Sequence, residues 1–365
     1  MTNALDFVLA CDVMMEFGGS IRPAMYLADE LVDRGYNVGM MSPNMSDGVE
    51  RSLRKRGVDP LNFHAKLITR NSSLSLMWFE AWAREAFLRL NSRRISNNCS
   101  VINFSQVIVT PSIVWYLQGP PSLALRDMEK EFSSSYKIAY NLLRPLIEYV
   151  DERLARDMGR SSALVLANSK FCASMYSRFG IHVQEVVYPP INCEMFSPST
   201  SNPSSLYVLA YFGKETRFSV IKAIADRGVR IKAFGSKSPY IHKEVVNHPN
   251  IEFLGRISTD ELVDTYSNAL FTLFPFSHEP FGYVPLESMA CGTPVLTYNM
   301  QGPREYVVDG YTGWLAKNDE ELILNALELW AEGYPPRMRK NCIGAASKFD
   351  KKFYIEKWLK ALDCF

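Results

Sequence analysis

Two doubly wound α/β domains, each built on a parallel sheet, are what this sequence predicts. Strand and helix signals alternate through both halves, a Pro- and Ser-rich stretch separates the halves, and 365 residues suffice for two cores at about 150 residues per domain. The expected division is 1–190 and 206–345, with 191–205 as a linker and 346–365 as a C-terminal helix packing back toward the first domain. Two similar halves on one linker are expected to enclose a cleft.

In order along the chain, Leu5–Val13 reads as a buried strand, Ile21–Arg34 has helical periodicity, and Tyr36–Met41 resumes β character after Gly35. That is a β-α-β unit, which implies a parallel sheet. Strand-like runs follow at Ser100–Val109, Ile113–Leu117 and Ala163–Asn168, with a helix from near Tyr140 to Met158 between the last two. From Pro189 to Ser205 the composition turns to Pro and Ser, as an inter-domain connection would. Strands are then expected at Leu206–Phe212, Arg230–Phe234, Ile251–Leu254 and Leu270–Pro275, and helices at Val220–Arg227 and Thr259–Ala269. Phe353, Trp358, Leu359 and Leu362 stand at helical spacing within Asp350–Leu362, which reads as a terminal helix. No internal repeat or low-complexity segment interrupts the pattern.

Composition narrows the function classes. Forty Lys+Arg against 39 Asp+Glu leave a net charge of +1, which gives no electrostatic case for a nucleic-acid partner. The seven cysteines are scattered, without a C-x-x-C pair or histidines at metal spacing, so neither a disulfide framework nor a metal site is expected. Met1–Asp6 lacks the basic and apolar regions of a secretory signal, and no run is long and apolar enough to span a bilayer. The chain reads as cytoplasmic, so the Asn-x-Ser sequences at Asn44, Asn71, Asn98 and Asn103 read as chance matches. The five histidines, His64, His182, His242, His248 and His278, are isolated and read as surface or core residues.

The segment from His278 to Pro294 carries the chemistry. Pro285 suits the first turn of a helix and Gly292 the position just past its end, so a short helix is expected from near Pro285 to Cys291, after the loop Glu279–Val284. Unpaired amides at such a start, beside Gly282, favour an anion such as phosphate. Glu279 and Glu287, eight positions apart, flank that site, Glu287 being expected in the first helical turn. Ionised carboxylates accept but do not donate, so beside phosphates they suit sugar hydroxyls. A nucleotide sugar, with diols on both sides of a diphosphate, has that pattern.

The run Glu-Pro-Phe-Gly-Tyr-Val-Pro-Leu-Glu-Ser-Met-Ala-Cys-Gly-Thr-Pro-Val from Glu279 resembles the signature of family 4 retaining glycosyltransferases of the GT-B fold. The resemblance continues through Gly302-Pro-Arg-Glu305, Asp309–Leu315, Phe253-Leu-Gly-Arg256 and Thr265–Ala269, and into the first half at Phe17-Gly18-Gly19, Leu27–Val38, Ala167–Lys170 and Val187–Ile191. It is weakest over 44–160. It implies that Glu279 binds the transferred sugar's hydroxyls and Glu287 the ribose diol. It further implies that the amides of Phe281, Gly282, Tyr283 and Val284 meet the diphosphate or sugar, and that Gly18 and Gly19 meet the diphosphate from across the cleft.

Two positions depart from the family pattern. The family places Arg and Lys five residues apart after the first strand of the second domain; here Lys214 and Arg217 stand three apart, and the fifth residue after Lys214 is Ser219. The role of a cationic clamp on the leaving diphosphate is carried to Lys214 and Arg217, without the register. In the first domain, where many members have a histidine, this chain has Gln118, an acceptor-side candidate that can hydrogen-bond but cannot act as a general base.

The resemblance implies a retaining, metal-independent hexosyltransferase with no cofactor beyond a nucleoside-diphosphate-sugar donor, acting on a glycan or lipid-linked acceptor. The departing diphosphate would help deprotonate the incoming hydroxyl. Two alternatives stay open, a GT-B nucleotide-sugar epimerase and a non-catalytic nucleotide-sugar-binding subunit. The stretch from Leu74 to Leu90, followed by Arg93 and Arg94, mixes aromatic and basic residues, and reads either as a helix packed on the first sheet or as a peripheral contact with an anionic membrane.

Overall fold

A computed structural model describes residues 4–69, 74–89, 99–129, 134–201, 203–236, 241 and 243–365. Asn71, Arg93, Arg94, Asn98 and His242 lie outside the described residues. The chain divides into two units, residues 1–190 with Tyr354–Phe365, and Ile191–Phe353.

The first unit holds strands β1 (Phe7–Ala10), β2 (Val38–Ser42), β3 (Val58–Asn62), β4 (Ser100–Asn103), β5 (Ser112–Leu117), β6 (Ser162–Ala167) and β7 (Glu185–Val186). They form one sheet in the order β3-β2-β1-β4-β5-β6-β7, with every pairing parallel. The helices between them are α1 (Arg22–Asp33), α2 (Asp47–Lys55), α3 (Leu74–Leu88), α4 (Pro121–Met128), α5 (Ser134–Arg160) and α6 (Lys170–Ser177). Their apolar faces make two cores. Leu27, Ala28 and Leu31 of α1 and Val49 and Leu53 of α2 cover one side of the sheet. Met77, Trp82, Leu154, Met158 and Met175, from α3, α5 and α6, cover the other.

The second unit holds β8 (Val208–Phe212), α7 (Phe218–Ala225), β9 (Ile231–Gly235), α8 (Lys243–Val246), β10 (Ile251–Gly255), α9 (Thr259–Asn268), β11 (Thr272–Phe274), α10 (Tyr283–Ala290), β12 (Val295–Tyr298), β13 (Gly313–Ala316), α11 (Asp319–Glu332) and α12 (Arg337–Ala346). Its sheet runs β10-β9-β8-β11-β12-β13, again all parallel. Local chemistry fixes the helix starts. Ser258 and Glu261 form a reciprocal capping box on α9, and Asn318 caps α11, whose first turn is Asp319-Glu320-Glu321.

The last helix, α13 (Lys351–Leu362), ends in the first unit. Tyr354, Trp358 and Ala361 join the core that α1 and α2 cover, where Trp358 packs against Phe104 and Tyr116 at ring-centroid distances of 5.2 and 5.6 Å. Residues 191–205 are counted with the second unit: the Ile191 amide donates to Phe349, and the Ser199 amide to the Ser267 hydroxyl.

The fold class is the expected one. Within the 74–94 stretch, Met77, Ala81, Trp82 and Ala86 of α3 go to the core, while Phe87 and Leu88 are exposed. Helix α10 starts two residues earlier than expected, so Glu287 lies in its second turn. Gly282, at φ +95°, turns the chain directly into the helix at Tyr283. Pro285 still falls in the first turn, where its missing N–H costs no intrahelical bond. The helix ends as expected: Gly292, at φ +78°, donates to Met289, and Thr293 donates to Ser288.

Candidate active site

In an open parallel sheet, the crevice for a ligand opens at the carboxyl ends of strands where the connections diverge to opposite sides. In the second unit that point lies between β8 and β11, because β9 and β10 extend one way and β12 and β13 the other. The loops leaving those two strands are Gly213–Arg217 and Pro275–Gly282, and they are joined. Thr216 bridges Phe276, and the Ser277 amide donates to Glu215 at 2.8 Å. Five expected site residues of this unit therefore sit on two joined loops, Lys214, Arg217, Glu279, Phe281 and Gly282, and three on the helix that follows, Tyr283, Val284 and Glu287.

Glu279 is clamped by its backbone. Its amide donates to Gln301 Oε1 at 2.6 Å and its carbonyl accepts from Gly302 at 3.0 Å. Gln301 itself sits at φ +57°, and its amide reaches the Ser277 carbonyl at 3.3 Å. Gly302 packs so closely that a Cβ would stand 2.4 Å from the Pro280 carbonyl oxygen. On the far side of the turn, the Tyr306 hydroxyl reaches the carbonyls of Gly282 at 2.5 Å and Phe281 at 3.1 Å. None of Gln301, Gly302 or Tyr306 is among the expected site residues, yet together they hold the loop that carries Glu279.

The amides of Phe281 and Gly282, expected to face the diphosphate or sugar, turn to the Glu279 carboxyl, Phe281 at 3.4 Å. No side chain caps α10 at Gly282, so its first-turn amides and the positive end of its dipole point toward the loop. Burial, with the Glu215 carboxylate nearby, pushes the Glu279 carboxyl up to about 8, against the two amides and the Lys214 ammonium. At neutral pH it holds its proton, and an anion at the start of α10 would not meet a full negative charge there.

Glu287 is buried at 2% exposure and accepts from the Tyr266 hydroxyl of α9 at 3.2 Å. The two basic residues go to different partners. Lys214 is exposed and lies 3.4 Å from the Glu215 carboxylate. Arg217 lies 2.5 Å from Asp319 Oδ1, which also accepts from the Tyr298 hydroxyl at 2.6 Å. One strand outward, Gly235, Ser236, Phe253, Leu254, Gly255 and Arg256 line an open recess of about 460 Å³, with Arg256 3.3 Å from the Ser236 hydroxyl.

Gly18, Gly19 and Gln118 belong to the first unit. Gly18 lies on the loop after β1, at that sheet's own divergence point, and a Cβ there would meet nothing within 4 Å. Gln118 donates its side-chain amide to the Phe104 carbonyl at 2.9 Å.

Residues 239–349, which include Glu279 and Glu287, match the family model described as Glycosyl transferases group 1. That segment is similar to the group 1 glycosyltransferases, and the chain has the GT-B fold. Over 178 residues, the chain is 34% identical to an uncharacterised glycosyltransferase of Methanocaldococcus jannaschii, covering 47% of this chain and 50% of that one. It is 25% identical over 264 residues to the alpha-1,3/1,6-mannosyltransferase alg-2 of Neurospora crassa, covering 57% of this chain and 54% of that one. The chain thus spans about half the length of these curated relatives. In fold, it is similar to Anabaena HepE, solved with UDP and glucose, at a TM-score of 0.70 and 16% identity over 99% of this chain and 100% of that one.

Proposed function

We propose that this chain is a group 1 glycosyltransferase that moves a hexose-type sugar from a nucleoside-diphosphate-sugar to a glycan or lipid-linked acceptor, with retention at the anomeric carbon. One observation carries the reading: Glu279, at the turn before α10, and Glu287, in its second turn, flank an uncapped helix start at the divergence point of the sheet. The helix start suits the diphosphate. Glu287, oriented by Tyr266, suits the ribose diol, and Glu279 the hydroxyls of the sugar. Lys214, exposed on its loop, would follow the charge that develops on the leaving diphosphate. The parts of Gly18, Gly19 and Gln118 rest on the family resemblance alone.

Transfer would proceed from donor and acceptor together. The glycosidic bond to the diphosphate breaks while the acceptor hydroxyl approaches from the same face, and its proton passes to a diphosphate oxygen. No cofactor or metal is part of this proposal. A thermal-shift panel with UDP, GDP, ADP and CDP tests the donor site, since a ligand at about 100 times its Kd stabilises by about 2.7 kcal/mol. The expected result is one preferred base, with the shift abolished by Glu287→Ala. The anomeric configuration of the product then tests retention, and an inverted product overturns that half of the proposal.

The commitment of Arg217 to Asp319 favours a second reading, a nucleotide-sugar-binding subunit without turnover. It predicts nucleotide binding with no product from any acceptor.

A further inference from the structure

Helix α5 buries one face and leaves the opposite face open. Tyr140, Ile147, Val150, Leu154, Ala155 and Met158 enter the core of the first unit. On the other side, positions 138, 142, 146, 149, 153, 156 and 160 follow one another in steps of three or four, so they form a single line roughly 33 Å long. Its first half is Ile138, Leu142, Leu146 and Tyr149, exposed by 65, 78, 51 and 64%. Its second half is Arg153, Arg156 and Arg160, all exposed. Tyr136 and Leu143 widen the apolar half, and α3, tied to α5 through Arg89 and Asp157, exposes Phe87 and Leu88.

A water-facing helix ordinarily places polar residues on such a line. Here the order is aliphatic, then tyrosine, then arginine, which is the order of depth at a lipid interface: acyl boundary, headgroup level, anionic phosphates. We propose that the outward face of α5 docks on an anionic lipid surface, its Ile138–Leu146 half inserted at the acyl boundary and Arg153 and Arg160 on lipid phosphates.

Charge argues for lipid over a second copy of the chain. If two copies paired their apolar halves antiparallel, the arginines of each would run toward the positive N-terminal end of the other's helix. The line carries no acidic residue to receive them; Glu152, beside it, pairs with Arg156 of the same helix. Anionic phosphates supply that missing charge. The proposal stands independently of the donor site in the second unit.

Flotation of the 365-residue chain with vesicles tests it. One set is phosphatidylcholine alone, the other phosphatidylcholine doped with phosphatidylglycerol, each at low and high salt. The wild type is expected to float with the doped vesicles and to be released by salt. Leu142→Glu with Leu146→Glu should weaken binding on the order of tenfold or more without lowering Tm, because both side chains are exposed. Arg153→Glu with Arg160→Glu should remove the preference for the anionic set. The proposal is overturned if the wild type stays unbound on doped vesicles, if it binds both sets alike regardless of salt, or if the leucine variant binds as the wild type does. It is equally overturned if the wild type is a dimer that the leucine variant turns into a monomer, with no vesicle binding by either.

Discussion

The hydroxyl of Tyr266 donates to Oε2 of Glu287 at 3.2 Å, joining α9 to α10 across 21 residues with both side chains buried. A buried carboxylate depends on its donors, and one lost donor costs about 1–3 kcal/mol. Tyr266→Phe is therefore expected to lower stability by about that amount and to weaken nucleoside-diphosphate binding on the order of tenfold, because Glu287 loses its orientation. Denaturant unfolding and calorimetric titration measure the two effects. An unchanged affinity in a less stable variant would detach Glu287 from the nucleotide.

Glu279 sets a pH dependence. Its carboxyl titrates at about 8 in the folded chain, against an ordinary 4.5. The folded state thus keeps a proton that the unfolded chain has already released, so its contribution to stability is full at low pH and is lost as pH rises through about 8. Glu279→Gln removes this titration. The Tm of the variant relative to the wild type should rise between about pH 5 and pH 8, and parallel curves would show that the carboxyl titrates normally.

The glycines separate steric from ligand roles. Gly302→Ala drives a Cβ against the Pro280 carbonyl oxygen at 2.4 Å, and the backbone must move. A loss of about 1–3 kcal/mol, with loss of nucleotide binding, is expected. Gly18→Ala meets nothing within 4 Å, so its Tm should match the wild type. A raised KM for the donor in Gly18→Ala would then report a ligand passing close to that backbone.

Lys214 and Arg217 should part company on substitution. Arg217→Ala strips Asp319 of its cation and should lower stability by about 1–2 kcal/mol. Lys214→Ala, at an exposed side chain, should leave stability within about 0.5 kcal/mol. If the ammonium meets the leaving diphosphate, kcat falls in Lys214→Ala with KM little changed. Equal loss of Tm in both variants would contradict this division.

Regular elements were legible wherever one face of the chain is consistently apolar. Helix α1 falls within one residue of Ile21–Arg34, and β8, β9, β10 and β11 of the second sheet within two residues at either end, because burial on both faces writes continuous apolar runs into parallel strands, whereas β13 was not foreseen. Strand β3 went unread because Asp59 and Pro60 break the apolar signal, which an edge strand tolerates.

At the site, the two glutamates and the helix start were legible because they sit within nine consecutive residues. The pairing of Arg217 with Asp319 was not, since 102 residues separate them and only the sheet brings them together. Gln301 was hidden for a different reason: its role depends on a backbone at φ +57°, which the neighbouring Gly302 hints at without specifying.

The core of the first unit closes with residues from two distant parts of the chain. Tyr354, Trp358 and Ala361 pack beside Leu31 and Tyr116, and the whole of Ile191–Phe353 lies between them in sequence. Trp358→Ala should accordingly cost about 3–5 kcal/mol, felt in the first unit, far from the substitution along the chain. During synthesis the first unit would leave the ribosome with a greasy seam still open and wait for the second to be made. A fragment ending before Tyr354 would keep that seam exposed, a target for chaperones and for self-association.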